Sequence, residues 1–316
     1  MNKLTLPALL SLACLLPSCM RDIDLEHYRG EAKPTLTSVM TSDTVVMADV
    51  SYSWFFTDTK PGEDITGLNV DVFINSELKE RMTYDGEKYI SNVRPQGGDT
   101  VTIRTEVDGQ PLQATDIIPK PAKIEGLRIL HSKVPSPYPQ YEWKDGQYIE
   151  IKEVDRFTYK VRFRDEPEKT NYYFLRIDSP LFTFGEFNYS YDPVFQTAYE
   201  KIYGSIHSSD FGSIYGMPFT DEGIEGKEYE LTVTEDIYIN DNIKYPRSIR
   251  LYAISEAYFR YLITIMANQG DESMQGGMID AGMAEPKPIY CNVEGGLGIV
   301  CGIQTDEMEI QLEDFK

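Results

Sequence analysis

The sequence predicts a mainly β protein, in which an N-terminal immunoglobulin-like or fibronectin-like β-sandwich precedes a larger β-rich domain with one main helix near the C-terminus. Apolar and polar residues alternate over residues 101–107, Asp108-Gly109 supplies a turn, and an extended run resumes at Leu112. Roughly six or seven such short strands, with turns about ten residues apart, are typical of a sandwich. The 22 tyrosines and 14 phenylalanines also suit β-structure.

The sandwich is predicted over residues 33–120, and Ile118-Pro119-Lys120-Pro121 is expected to form its exit. Alternating apolar residues predict strands, and Tyr84-Asp85-Gly86-Glu87 predicts a turn between two of them. The strands are expected at residues 34–40, 44–53, 69–75, 101–107 and 112–117.

The second domain is predicted over residues 121–316, with a strand at 123–130 and then a proline- and tyrosine-rich loop through Trp143. The uninterrupted Tyr172-Tyr173-Phe174-Leu175 predicts a strand that is covered on both faces. Further strands are expected at residues 157–164, 229–233 and 248–254.

One helix is predicted from Ser255 to about Gln269, with Ser255 as N-cap and Gly270 as the stop. The spacing of the apolar residues in this helix indicates that the helix packs on the sheet rather than binding a cofactor. The expected apolar stripe consists of Tyr258, Tyr261, Leu262, Ile265 and Met266.

Residues 1–18 have the pattern of a lipoprotein signal peptide, with Lys3 before an apolar stretch over residues 6–16 and Leu16-Pro17-Ser18-Cys19 at the cleavage point. The apolar stretch is about half of the ~20 residues that a membrane-spanning helix needs. A small residue before a cysteine is what lipid modification requires, so Cys19 is predicted to be the acylated first residue of the mature chain, carrying palmitate-like chains. A plain secretory signal is the nearest alternative.

Residues 19–32 are predicted to form an acidic flexible tether. The alternating acids in Asp22-Ile23-Asp24-Leu25-Glu26 are similar to the export tag of Bacteroidota lipoproteins. The expected location is therefore the outer membrane, lipid-anchored and facing the cell exterior.

The charge of the chain excludes two classes of partner. Residues 1–18 contain one base and no acid, which takes the net charge of −21 for the full chain to about −22 for the mature chain. Nucleic acid requires clustered lysine and arginine, so no nucleic-acid partner is expected. The same charge disfavours lying on anionic lipid, so the lipid on Cys19 is the expected anchor.

The common catalytic and metal-binding patterns do not occur, and we assign no catalytic residue, metal or cofactor. His27, His131 and His207 are far apart in the sequence, without a zinc-hydrolase pair. Ser, His and Asp within residues 205–210 are too close in sequence to converge as a triad. A pair of carboxylates acting on a sugar remains open, because the sequence does not show which acids face each other.

Residues 179–215 combine many aromatic side chains with Gly, Ser and Asp. Such a composition resembles a recognition surface, whereas the alternative, which we favour, is packing on the adjoining sheet. The candidate binding residues are Phe182, Phe184, Phe187, Tyr189, Tyr191, Tyr199, Tyr203 and Tyr215.

Two kinds of covalent modification are suggested besides lipidation. Cys291 and Cys301 form an even pair, which favours a disulfide in a secreted protein, but the nine intervening residues do not ensure the required geometry. Thr44 and Thr100 each lie in an Asp-Thr-Val tripeptide that is similar to the short O-glycosylation acceptor of Bacteroidota.

The C-terminal part carries a more specific resemblance. Residues 255–262 (SEAYFRYL), Glu285-Pro286 and residues 289–299 (IYCNVEGGLGI) resemble the closing signature of an uncharacterised Bacteroidota family of outer-membrane lipoproteins, a domain of unknown function. Residues 165–173 and 219–227 add supporting matches. Cys291 and Cys301 depart from the family pattern, which favours a disulfide that is specific to this chain.

The resemblance implies a non-catalytic companion of a TonB-dependent outer-membrane transporter, serving ligand capture or gating in nutrient uptake. It supplies no catalytic residues to carry over. Two alternatives remain: a hydrolase or glycan-processing enzyme with an unrecognised carboxylate site, and a structural adhesin that binds a partner without a small ligand.

Overall fold

A computed structural model describes residues 29–55, 57–60, 62–167, 169–179, 187–203, 216–238, 243–268 and 288–315. The predicted signal peptide, Cys19 and residues 20–28 of the predicted tether lie outside this part of the chain. The described residues are mainly β, which confirms the predicted fold class.

The N-terminal strands form two sheets around a common core. One layer is the β1-β2-β6-β5 half of an eight-stranded sheet, and the other is a sheet with the order β4-β3-β7-β8. Alternating residues such as Leu36, Val50, Val72 and Ile103 point inward from both sheets. The strands are β1 (Pro34–Met40), β2 (Met47–Tyr52), β3 (Asp71–Ile74), β4 (Glu77–Arg81), β5 (Thr83–Tyr84), β6 (Tyr89–Ile90), β7 (Thr100–Val107) and β8 (Gln110–Ile117).

The β7-β8 hairpin has the predicted two-residue turn. Asp108 and Gly109 both have positive φ, 53° and 77°, and Val107 pairs with Gln110. This backbone shape matches the twist of the flanking strands, and Asp-Gly adopts it at low cost.

The remaining strands form the second part of the protein. One sheet has the order β12-β14-β10-β9, and β13, β11 and β15 continue the sheet that contains β1. The core between these sheets contains many aromatic side chains, including Phe157, Tyr159, Phe163, Tyr173 and Phe219. The strands are β9 (Ile124–Lys144), β10 (Gln147–Arg164), β11 (Tyr172–Asp178), β12 (Phe187–Asn188), β13 (Met217–Thr220), β14 (Glu228–Ile237), β15 (Pro246–Ile254) and β16 (Leu297–Gln311).

Strand β16 joins the two parts of the protein. Its first half pairs in parallel with β1, from Leu297 beside Thr35 to Gly302 beside Met40, and its second half pairs with β15. Val293 and Val300 belong to the core of the sandwich. The sandwich therefore includes residues from beyond the predicted boundary at residue 120, because the C-terminal segment completes it.

Strands β9 and β10 are much longer than predicted. The proline- and tyrosine-rich loop predicted through Trp143 is wrong, because Asp145 and Gly146 have positive φ (51° and 82°) and close a long hairpin. A register shift between the pairs Ile151/Gln140 and Glu153/Pro135 accommodates the proline-rich residues 136–139. Proline is tolerated here because β9 lies at the edge of its sheet.

The predicted C-terminal helix, α2 (Glu256–Asn268), is confirmed. The backbone N–H of Tyr258 donates to Ser255 Oγ at 3.2 Å, so Ser255 is the N-cap. Phe259, which the predicted stripe omitted, is buried against Phe174 and Ile254. Strand β11 is thus covered by α2 on one face and by the core on the other, as predicted.

A second helix, α1 (Gln196–Tyr203), was not predicted. It follows a short 3-10 helix (Pro193–Phe195), whose N-cap Asp192 accepts a hydrogen bond from the Val194 N–H at 3.1 Å. The carboxylate of Asp192 also accepts from Tyr229 Oη and from the Thr232 N–H, both at 2.7 Å. These bonds fix the start of the helical segment on β14, and α1 then packs against α2.

Candidate functional site

A cavity of about 880 Å³ lies where α1, α2 and the start of β11 meet. Its lining combines aromatic rings, threonine hydroxyls and side chains of both charges. The lining residues that matter for its chemistry are Tyr172, Phe259, Tyr290, Lys169, Lys201, Arg260, Asp221, Glu222, Glu225 and Glu256.

The aromatic and cationic side chains of the cavity are in contact with each other. The rings of Tyr172 and Phe259 lie 5.1 Å apart between centroids. Lys201 Nζ lies 5.8 Å from the centre of the Phe259 ring, and the Arg260 guanidinium lies 5.5 Å from that of Tyr290. Rings beside cations provide apolar faces and hydrogen-bond donors for one bound molecule.

The acids of the cavity are held by hydrogen bonds and an ion pair. Asp221 Oδ2 accepts from the Asn171 N–H at 2.8 Å, and burial raises the pKa of Asp221. Glu225 Oε1 accepts from the Gly223 N–H at 3.0 Å, which lowers the pKa of Glu225. Arg260 pairs with Glu256 at 2.9 Å, one helical turn away. The lowered pKa of Glu225 favours a binding role over proton transfer for this side chain.

A buried network around Asp165 supports the floor of the cavity. Asp165 is 1% exposed and accepts hydrogen bonds from Tyr173 Oη at 2.6 Å, from the Gly226 N–H at 2.7 Å and from Asn171 Nδ2 at 3.2 Å. Burial, together with the hydrogen bond to Asp165, raises the pKa of the Tyr173 hydroxyl. The network fixes the turn after β13 against the start of β11.

A second cavity, of about 600 Å³, adjoins the first and shares Lys169, Thr170, Tyr172 and Glu256 with it. It lies at the exit of the sandwich, where Lys120 forms an ion pair with Glu166. The shared residues make the two cavities neighbouring parts of one depression at the junction between the sandwich and the second part.

Four of the segments that carry the family resemblance contribute to this depression, whereas Glu285-Pro286 lies outside the described residues. Residues 165–173 and 219–227 supply the Asp165 network and the cavity acids, while residues 255–262 form the start of α2. Tyr290, from the last signature segment, completes the lining. None of the residues of these segments was predicted to bind a ligand, because their proximity depends on the sheet order.

The aromatic residues proposed as a binding surface are placed differently. Phe187, Tyr189 and Tyr199 are at most 5% exposed and belong to the core of the second part, which corrects the binding role proposed for them. They point inward because β12 and α1 lie over the sheet. Tyr191 is 52% exposed, with the Arg156 guanidinium 5.9 Å from its ring centre.

The other members of that surface are not placed by the structure. Phe182, Phe184 and Tyr215 lie outside the described residues, and so does the side chain of Tyr203.

Cys291 and Cys301 are both free thiols, so the candidate disulfide is not formed. The side chain of Asn292 fixes the backbone of Val300: Asn292 Oδ1 accepts from the Val300 N–H at 3.0 Å, and Asn292 Nδ2 donates to the Val300 carbonyl at 2.8 Å. Val300 faces the sandwich core, against which Cys291 packs, whereas Cys301 alternates to the opposite face beneath α2.

The glycosylation candidates differ in accessibility. Thr44 is exposed in the loop between β1 and β2, and Thr100 is partly buried at the start of β7.

The described part of the chain contains no group of three or more His, Cys, Asp or Glu side chains that could hold a metal ion. Of the histidines, His131 is described, and its Nε2 lies 2.6 Å from Asp155 Oδ1. Among these residues, no helix has the length and apolar character needed to cross a membrane.

The fold and the depression define a mainly β protein with a mixed polar and aromatic cavity between two helices and a sheet. Residues 22–309 match the model of DUF4249, described as a domain of unknown function, so the chain belongs to this family. No curated protein and no solved structure matches the chain.

Proposed function

We propose that the protein is a non-catalytic, surface-exposed outer-membrane lipoprotein that captures a ligand for a TonB-dependent transporter. The observation that carries the capture role is the 880 Å³ cavity with aromatic rings and side chains of both charges. Its size lies in the range of small-molecule sites. The lipobox at Cys19 and the acidic residues after it support anchorage at the cell surface.

Transporter partnership is tested by co-purification. The full-length protein is solubilised from outer membranes in mild detergent together with the TonB-dependent transporter that we expect the neighbouring gene to encode. We expect the two to elute as one complex. A clean monomer, with the transporter in separate fractions, would overturn the partnership.

Anchorage is tested by Cys19→Ala. This variant should fold normally, because Cys19 precedes the described core, but it should lose function in cells. Full uptake activity from the unanchored protein would show that the lipid sets location only.

A hydrolase is the second candidate, because four acids line one cavity and burial raises the pKa of Asp221. A panel of chromogenic glycosides and esters separates the two functions. Turnover by the wild-type protein that is lost in both Asp221→Asn and Glu256→Gln would favour the hydrolase, whereas no turnover of the panel agrees with capture.

A further inference from the structure

The hairpin of β9 and β10 extends beyond the sheet that holds its base. Strand β14 pairs with β10 only up to Asp155, opposite Ile237, whereas β9 and β10 remain paired as far as Lys144 and Gln147. We call residues 133–153 the arm. About ten residues of two-stranded ribbon correspond to a projection of roughly 30 Å.

The tip of the arm exposes large aromatic side chains. Tyr141, Trp143 and Tyr148 are 59%, 64% and 73% exposed. Trp143 pairs directly with Tyr148 across the hairpin, and Tyr141 pairs with Glu150, so the three rings share one face of the ribbon. With about 150–250 Å² per aromatic side chain, these rings expose on the order of 400 Å². The cross-strand pair of Trp143 and Tyr148 stabilises the ribbon by up to about 1 kcal/mol. It leaves most of the ring surface in water, and an exposed apolar patch of this size is typical of an interaction site.

A lipid surface is disfavoured as the partner of the tip. The full chain carries a net charge of −21, and anionic headgroups repel so acidic a protein. A membrane contact by the tip would have to overcome this repulsion.

The ring geometry and the area favour a protein partner with a concave surface. Trp143 and Tyr148 meet edge to face, with centroids 4.8 Å apart and planes at 66°, so they form a wedge rather than a flat platform on which a sugar could stack. A stable protein interface buries about 800 Å² on each partner. The aromatic face supplies about half of this area, so a cleft that also covers Ile149 on the opposite face fits better than a flat surface.

The charged side chains at the tip of the arm indicate which charges the cleft of a partner would carry. Asp145 and Glu150 are exposed beside the rings. A rim of lysine or arginine around the cleft would complement these acids.

We propose that the arm is a docking element that inserts Tyr141, Trp143 and Tyr148 into an apolar, basic-rimmed cleft of a partner protein. The partner is the transporter of the proposed function, on which this inference rests. Trp and Tyr are the residue types that most often dominate binding energy at protein interfaces.

The test compares variants of the full-length lipoprotein in the same co-purification with the neighbouring transporter. Trp143→Ala/Tyr148→Ala removes the wedge, Glu150→Lys reverses a rim charge, and Trp54→Ala is the control, because Trp54 is 56% exposed but lies outside the arm. All variants should keep the wild-type melting temperature, since the tip lies outside both cores. We expect transporter recovery to fall at least tenfold in the double variant, to fall less in Glu150→Lys and to stay unchanged in Trp54→Ala.

Each contrary outcome identifies which proposal fails. Equal recovery with the double variant overturns the arm as docking element and leaves the transporter partnership intact. No recovery with the wild-type protein overturns both. If Trp54→Ala lowers transporter recovery as much as the double variant does, the loss is not specific to the arm and its docking role is overturned. Binding to vesicles of phosphatidylethanolamine and phosphatidylglycerol that depends on Trp143 and Tyr148 would replace the protein partner with a lipid surface.

Discussion

Arg247 and Glu235 form an ion pair in the interior of the second part, with Arg247 Nη2 2.7 Å from Glu235 Oε1 and side chains that are 1% and 2% exposed. Tyr159 donates its hydroxyl to the same carboxylate, and Arg247 Nη1 donates to the Tyr245 carbonyl at 2.9 Å. The pair joins β14 of one sheet to β15 of the other at the end from which the arm projects.

Arg247→Met is expected to destabilise the protein by about 3–5 kcal/mol, because it leaves Glu235 as an uncompensated buried charge. Urea unfolding measures the loss. Arg250→Met is the matched control, since Arg250 lies on the same strand and pairs with Asp178 and Glu307 on a partly exposed face. Each of these solvated pairs contributes at most about 1 kcal/mol, so the control should cost clearly less than Arg247→Met. Similar losses for both variants would contradict the role of the buried pair.

Gly298→Ala should disrupt the pairing of β16 with β1. Gly298 has φ of 116°, and a Cβ there would lie 2.2 Å from the Leu36 carbonyl oxygen. Gly86 has φ of 112° with open space around it, so Gly86→Ala isolates the backbone cost, about 1–3 kcal/mol. We expect Gly298→Ala to cost at least about 2 kcal/mol more in chemical denaturation, and equal costs would argue against the close approach.

Asp221→Asn should be more stable than the wild-type protein at pH 7. Burial raises the pKa of Asp221 in the folded state above the unfolded value of about 3.9, so the folded carboxyl takes up its proton first. Its unfavourable contribution is therefore present above the raised pKa and disappears as the pH falls toward the unfolded value. Urea midpoints measured from pH 7 to pH 4 should converge for the two proteins, and a constant difference would contradict this.

The two remaining thiols should react at very different rates. Burial raises the pKa of Cys301 to about 12, and this side chain is fully buried, whereas Cys291 is half-buried. In a chain that begins at Met20, and so lacks both Cys14 and Cys19, an alkylating reagent at pH 8 should label Cys291 first and Cys301 only after unfolding. Mass spectrometry of the non-reduced protein that shows a Cys291–Cys301 bridge would contradict the free thiols.

Local patterns predicted many of the elements correctly. Residues 34–40 alternate and form β1, Asp108-Gly109 forms the hairpin turn, and Ser255 caps α2, because each depends on neighbours within a few residues. The segment before Trp143 was mispredicted, since its prolines indicate a loop and only the register shift in β9 accommodates them. The inward orientation of Phe187, Tyr189 and Tyr199 was also beyond local patterns, because exposure depends on which sheet lies beneath.

The sequence by itself determined the mainly β class, the hairpins, the main helix and the segments of family resemblance, since alternation, turn residues and caps act over short range. Only the tertiary structure decided that β16 completes the N-terminal sandwich, that the described resemblance segments contribute to one depression, and that the arm projects beyond its sheet. These features arise from pairings between residues far apart in the chain, such as Asn171 with Asp221 and Thr35 with Leu297, and no local pattern encodes which distant strands become neighbours.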